Sequence, residues 1–233
     1  MSGHSKWSKI KRAKESKDAK RSNLFTKLSK NITVAARNGS DIDTNFKLRI
    51  AVDNAKSFSM PKDNIERSIK KGSGELNSGP IEELIYECYG PGGIAILIKV
   101  LTDNKNRTLS NIKYILNKRG GNLSSTGSVL WMFNLKGEII INKKKLSEEE
   151  ELKFIELGIE DIIVENNFVK IITSTEDLQK IKEELKDFDI LSANIIYIPK
   201  EKIKVKDKNK FVSLLNILDE DDDVDKIYTN AYI

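Results

Sequence analysis

The stretch IEELIYECYGPGGIAILIKVL, residues 81–101, is where the apolar period of the chain changes from that of helices to that of strands. Ile81 to Tyr89 and Ile94 to Leu101 flank a Gly90-Pro91-Gly92-Gly93 turn, which predicts a hairpin. The second arm is almost wholly aliphatic, so it is expected at the centre of a sheet, covered on both faces. Helical spacing follows from Arg107 to Lys118, with Leu109, Ile112, Ile115 and Leu116 inward. Gly120-Gly121 ends that helix, and Ser128 to Phe133 reads as a third strand.

Working downstream, strand Glu138 to Ile141 precedes a helix opened by Ser147 with Glu150 three residues on, a capping box. Strands Asp161 to Val164 and Phe168 to Thr173, a helix from Glu176 to Asp187 and a strand from Ile190 to Ile198 complete a strand-helix-strand-strand-helix-strand order, the ferredoxin-like arrangement. The last helix, near Asn209 to Leu218, and the strand from Lys226 to Ile233 are too small to fold alone. They are expected to return to the sheet begun by residues 81–133, which makes the ferredoxin-like segment an insertion.

Working upstream, Leu24, Leu28, Ile32 and Ala35 share one face of a helix over residues 14–38, and Leu48, Ala51, Val52, Ala55 and Phe58 do so from Phe46 to Phe58. A third helix starts at Pro61 and closes at Lys70-Lys71-Gly72. The expected class is α+β: an N-terminal helical bundle plus two ferredoxin-like α/β domains, the last one inserted in the middle one. The expected boundaries are residues 1–79, then 80–134 with 206–233, and 135–205 for the insertion.

Charge is segregated along this architecture. Residues 1–37 hold 11 Lys and Arg against Glu15 and Asp18; residues 1–72 hold 18 against 7, and residues 73–233 hold 22 against 28. Such a leading end exceeds what solubility requires and points to nucleic acid as partner. The candidate contacts are His4, Lys6, Trp7, Lys9, Lys11, Arg12, Lys14, Lys17, Lys20, Arg21, Lys27, Lys30 and Arg37. Lys14 and Lys17 share the azimuth of the apolar stripe, so the first twenty residues read as an arm projecting beyond the core. Lys27, Lys30 and Arg37 fall on the opposite side of the helix. Trp7 either stacks on a base or packs on the bundle. Asp219 to Asp223 reads as a solvated turn, with binding of a basic partner or a fold back onto the basic arm as the alternatives. The pairs Gly120-Gly121 and Gly127-Ser128 serve structure, Gly120 by ending a helix, or expose backbone N–H groups to phosphate.

Phosphate-led contact carries no sequence information, so DNA and ribosomal RNA or tRNA stay open as targets. There is no helix-turn-helix or RNA-recognition signature, and no heptad repeat that indicates an oligomer. One His and one Cys exclude a disulfide and argue against a zinc site, and neither a phosphate-binding GxxxxGK[ST] loop nor a Gly-x-Ser-x-Gly elbow occurs. No enzymatic activity, catalytic residue, metal or cofactor is therefore expected. Cys88, in an apolar strand, is expected to be buried and inert. With no apolar run of 18 residues and no signal-peptide pattern, no membrane association is expected and the cytoplasm is the expected location.

Several motifs resemble the YebC family, which includes the mitochondrial translational activator of cytochrome oxidase subunit one. They are Gly3-His4-Ser5-Lys6-Trp7, Phe25-Thr26-Lys27-Leu28, Thr33-Val34-Ala35-Ala36-Arg37, Met60 to Arg67, Tyr89 to Gly93, Leu101 to Thr108, Gly120 to Leu123, Gly127-Ser128-Val129 and Trp131-Met132-Phe133. The resemblance implies a helical N-terminal domain and two α/β domains enclosing a cavity. It also implies a cytoplasmic DNA-binding transcriptional regulator, or a translation factor at the ribosome, either a translational activator or a stall-relieving factor. A second contact, through Asp103, Asn104, Arg107, Gly121, Asn122 and Ser128, is implied likewise. Ser22-Asn23 departs from the Gly or basic residues usual there. A pure protein scaffold is the remaining alternative, and it leaves the basic leading end unexplained.

Overall fold

Three helices open the structure, a computed structural model that describes residues 21–76 and 79–232. Residues 21–35 form α1, which runs into a 3-10 turn at Ala36–Asn38, and α2 (Phe46–Ser57) and α3 (Lys62–Gly72) follow. The apolar stripes meet as predicted: Leu28, Ile32 and Ala35 of α1 pack on Leu48, Val52 and Ala55 of α2 and on Met60 and Ile65. Asn45 ties two helix ends together. Its Oδ1 accepts from the N–H of Leu48 at 3.1 Å, capping α2, and its Nδ2 donates to the carbonyls of Ala35 at 2.8 Å and Gly39 at 2.7 Å. Gly72 permits α3 to lie against α1, since a Cβ there would stand 2.3 Å from the Thr33 carbonyl oxygen.

Two sheets follow. The chain runs through β1 (Glu82–Tyr89), β2 (Ala95–Thr102), α4 (Lys105–Lys118) and β3 (Asn122–Leu123). Next come β4 (Phe133–Ile141), α5 (Glu148–Glu156), β5 (Asp161–Val164), β6 (Val169–Thr173), α6 (Leu178–Glu184) and β7 (Ile190–Pro199). The chain closes with β8 (Ile203–Lys204), α7 (Lys208–Asp219), β9 (Val224–Thr229) and β10 (Ala231–Tyr232).

The second sheet has the order β5-β6-β4-β7, all neighbours antiparallel, with α5 and α6 packed on one face through Phe154, Leu178 and Ile181. This is the ferredoxin-like layout, and the predicted Ser147–Glu150 capping box is present at the start of α5. The first sheet has the order β3-β1-β2-β9, with α4 and α7 covering one face. Its layout matches the second, but its connectivity differs: β1 passes straight into β2, and α7 and β9 arrive from the far end of the sequence. As the aliphatic run required, β2 sits between β1 and β9, with Ile96, Leu97 and Ile98 all fully buried. The helix-free side of the first sheet meets β7 where the rings of Tyr197 and Tyr228 pack edge-on, 5.3 Å between centroids.

The predicted strand from Ser128 to Phe133 does not form. The third strand is the short β3, paired to Cys88 and Tyr89, and Leu130–Met132 is a 3-10 turn. The cause is Glu87, which is 5% exposed: its carboxylate accepts from the N–H groups of Gly127 at 2.5 Å, Val129 at 2.6 Å and Leu130 at 2.7 Å. Those donors are taken by a side chain and cannot enter a ladder. Phe133 instead opens β4, which is longer than predicted.

Phe211 of α7 is fully buried beneath Gly90, at the turn end of the β1–β2 hairpin. Phe211→Ala is expected to lower the unfolding free energy by about 3–5 kcal/mol in a denaturant titration, whereas Leu152→Ala on the exposed side of α5 changes it by less than about 0.5 kcal/mol.

Candidate nucleic-acid interface

His4, Lys6, Trp7, Lys9, Lys11, Arg12, Lys14, Lys17 and Lys20 lie outside the described residues, as does the reading of an arm. Arg21, Lys27, Lys30 and Arg37 are described, and they separate into three groups. Lys27 and Lys30 are committed to the loop that follows α7. Lys27 Nζ donates to the carbonyl of Asp219 at 2.5 Å and to its Oδ1 at 3.1 Å, while Lys30 Nζ donates to the carbonyl of Asp222 at 2.7 Å and to Asp223 Oδ1 at 2.6 Å. Asn23 reaches Glu220 and Asp222, and Asn31 reaches Asp225. The acidic run is thus the seat of α1 and not a solvated turn, and the ammonium groups of these two lysines are paired with it instead of facing solvent as the helical wheel predicts. A single helical wheel assigns them to a solvent face because it cannot see a second contact surface. Arg37, exposed in the 3-10 turn, lies outside the cleft described next.

Arg21 stands at the wall of a cleft of about 720 Å³ between α1, α3 and the junction of β2 with α4. Among the described residues, Arg21, Lys30, Arg67, Lys71 and Arg107 line it, against Asp103 and Asp223, with Ser29, Asn64 and Ser68 adding polar groups. The Arg21 guanidinium rests 5.2 Å from the centre of the Phe25 ring. Sequence reasoning missed Arg67 and Lys71 as cleft residues, because periodicity reads α3 only as a helix closing at Lys70-Lys71-Gly72 and does not show what it faces. The signal available was their presence together on one short helix.

Asp223 organises the cleft floor. Its Oδ1 takes Lys30, and its Oδ2 takes Arg107 at 2.8 Å and the Thr108 hydroxyl at 2.7 Å. Burial alone raises the carboxyl's pKa, but donation from Lys30, Arg107 and Thr108 outweighs it and holds the group at about 2. Arg107 also reaches Asp103 Oδ1 at 3.0 Å, and Asn104 caps α4 by accepting from the Arg107 N–H. Asp103, Asn104 and Arg107 therefore belong to the cleft region.

Gly121, Asn122 and Ser128 do not join them. Glu82 of β1 pairs with Thr102 at the cleft end, whereas Tyr89 pairs with Ala95 and with Asn122 at the other, so the strand's eight residues place the two groups ~23 Å apart. The predicted second contact is thus two separate places. At the buried Cys88, desolvation, with the neighbouring Glu87 charge, pushes the thiol up to about 12, in keeping with an inert role. Among the described residues no cluster of His, Cys, Asp and Glu suits a metal ion, and no helix is long and apolar enough to cross a membrane.

A helical unit docked on two four-stranded antiparallel sheets, with a cation-lined cleft at the joint, defines a mixed α+β protein. Residues 5–75 match the family model described as the TACO1/YebC protein N-terminal domain, and residues 81–231 match the TACO1/YebC second and third domain. The chain belongs to the TACO1/YebC family. It is 46% identical to a protein of Thermotoga maritima, over 99% of this chain and 93% of that one, and 47% identical to a protein of Desulforapulum autotrophicum, over 100% and 97%. Both carry the name "probable transcriptional regulatory protein". The crystal structure of a conserved hypothetical protein from Aquifex aeolicus superimposes with a TM-score of 0.85 at 42% identity, covering 93% of this chain and 92% of that one.

The Asp223 geometry predicts an acid-sensitive joint. Its folded pKa of about 2 lies below the ordinary 3.8, so its contribution, about 2 kcal/mol, is present in full above pH ~4 and is lost as pH falls towards 2. In Asp223→Asn, unfolding curves followed between these pH values are expected to show lower stability at neutral pH and a flatter acid limb.

Proposed function

We propose that the protein is a non-enzymatic, nucleic-acid-binding regulator of gene expression, with DNA-binding transcriptional control in the cytoplasm as the first reading. One observation carries it: the cation-lined cleft begins at Arg21, the residue that immediately follows a sequence of twenty with seven Lys and Arg against Glu15 and Asp18. A phosphodiester chain is the ligand that uses both, since neutralising its charges releases counterions. The names of the relatives support the transcriptional form of this reading.

A second reading, a translation factor acting on ribosomal RNA or tRNA, draws on the shape of the site. The cations line a concavity, whereas the major groove of DNA is read by an element that projects into it. Irregularly folded RNA fits a concavity better.

If about five phosphates are neutralised, affinity is expected to fall with salt at a log-log slope of roughly −4.5, or several hundredfold between 50 and 200 mM. Arg67→Glu with Lys71→Glu, and separately removal of residues 1–21, are each expected to weaken binding at least tenfold in an anisotropy titration, the fold being retained. Unchanged affinity in both variants contradicts the proposal. Crosslinking in cells followed by sequencing decides between the readings: promoter DNA supports the first, and ribosomal RNA with little promoter DNA supports the second.

A further inference from the structure

The second half of the chain is acidic as a whole, but its acids are unevenly placed. Residues 105–137 contain six Lys and Arg and no Asp or Glu, and residues 200–210 contain six Lys against Glu201 and Asp207. The far end of the first segment, from Lys118 to Met132, and the second segment converge on the end of the first sheet that faces away from the cleft, whereas Lys105 and Arg107 belong to the cleft end and Lys136 pairs with Glu160. The Lys200 N–H donates to the carbonyl of Met132 at 2.9 Å, and β8 is held there by donation from the Ile203 N–H to Asn230, whose side chain in turn accepts from the Ala95 N–H. Lys210 reaches the same place: a Cβ on Gly120 would lie 2.9 Å from its Nζ. Among the described residues, none of Lys118, Arg119, Lys200, Lys202, Lys204 and Lys210 has a carboxylate within 4.0 Å.

Trp131, at 63% exposure, directly precedes Met132, the residue whose carbonyl receives the Lys200 N–H. Its orientation is fixed from within. The indole Nε1–H donates to the Ser128 carbonyl at 3.0 Å, and the backbone on either side of Ser128 is pinned by the Glu87 carboxylate. With its one polar hydrogen used internally, the ring offers only its π faces. Tyr232, 61% exposed, adds a second aromatic at this end, in register with Lys204. An aromatic ring held from within, beside cations that pair with no carboxylate among the described residues, suits stacking of unpaired bases along a phosphate chain.

We infer that this pole, opposite the cleft, is a second nucleic-acid contact that takes an unpaired base on the exposed face of Trp131 while Lys200 and its neighbours hold the flanking phosphates. The inference rests on the nucleic-acid-binding reading above and adds to it a preference for single-stranded segments.

Trp7→Phe leaves Trp131 as the sole tryptophan, so its emission reports the site directly. Titrating that full-length variant with single-stranded oligouridylate or oligothymidylate of about 20 nucleotides is expected to quench the emission. Trp131→Ala is expected to weaken single-strand affinity about five- to tenfold while leaving duplex affinity unchanged, and Trp131→Phe, which keeps a ring face without the N–H, is expected to retain most of the affinity. Absence of quenching, unchanged single-strand affinity in Trp131→Ala, or equal loss in Trp131→Phe and Trp131→Ala overturns the inference, the last because it marks a role in holding the turn. Failure of the wild type to bind any nucleic acid instead overturns the function proposed above, whereas wild-type binding lost in Arg67→Glu/Lys71→Glu but untouched in Trp131→Ala removes this second contact alone.

Discussion

One carboxylate, that of Asp223, sets the relation of the helical unit to the first sheet. It accepts from Lys30 on α1 and from Arg107 and Thr108 on α4, so it is the counter-charge between two cations that otherwise face each other across the cleft. In a partly dehydrated joint such repulsion is several times stronger than in bulk water. With Asp223 in place, Lys30 and Arg107 draw the walls together. The same helical unit also leans on the second sheet: Phe46 and Ile50 pack against that sheet's core, and Asn54 meets Asn194 at 3.3 Å. The bundle is therefore a brace touching both sheets, and the cleft takes its shape from the brace.

Basic residues in this chain have two unlike tasks. Lys27 and Lys30 are structural, holding the loop from Asp219 to Asp223 by charge-assisted bonds to both side chains and carbonyls. Arg21 and Arg67 are exposed in the cleft and bonded to no carboxylate among the described residues. A count of charges along the sequence treats these residues alike, and only the position of the acidic loop distinguishes them. The same holds in reverse for residues 73–233, whose net negative charge conceals a basic pole.

The fold was legible wherever the signal was local. The second sheet's elements are each bounded by their own markers, such as the Ser147–Glu150 capping box, and their order alone names the layout. The need for α7 and β9 to complete the first sheet follows from their being too small to fold alone. The failure came at Ser128 to Phe133, where strand-like composition was overruled by a carboxylate forty residues earlier in the chain, at Glu87. The site was less legible. Asp103, Asn104 and Arg107 stood out as residues between a buried strand and a helix, but that Gly121, Asn122 and Ser128 occupy the opposite end of the same sheet depends on strand direction, which a list of motifs does not carry.

Because the partner of β2 on its far side is β9, the first sheet stays unfinished until the whole of the second sheet has been synthesised. The ribosome reaches Thr229 roughly 120 residues after β2, on the order of ten seconds later. All the strands of the second sheet emerge in that interval and can pair with one another, leaving a nascent chain with one closed sheet and one bare aliphatic edge running from Ala95 to Thr102. Such an edge is a template for intermolecular pairing. A message broken before the codon for Val224 thus yields a product that is hazardous as well as incomplete, because only translation through β9 covers that edge.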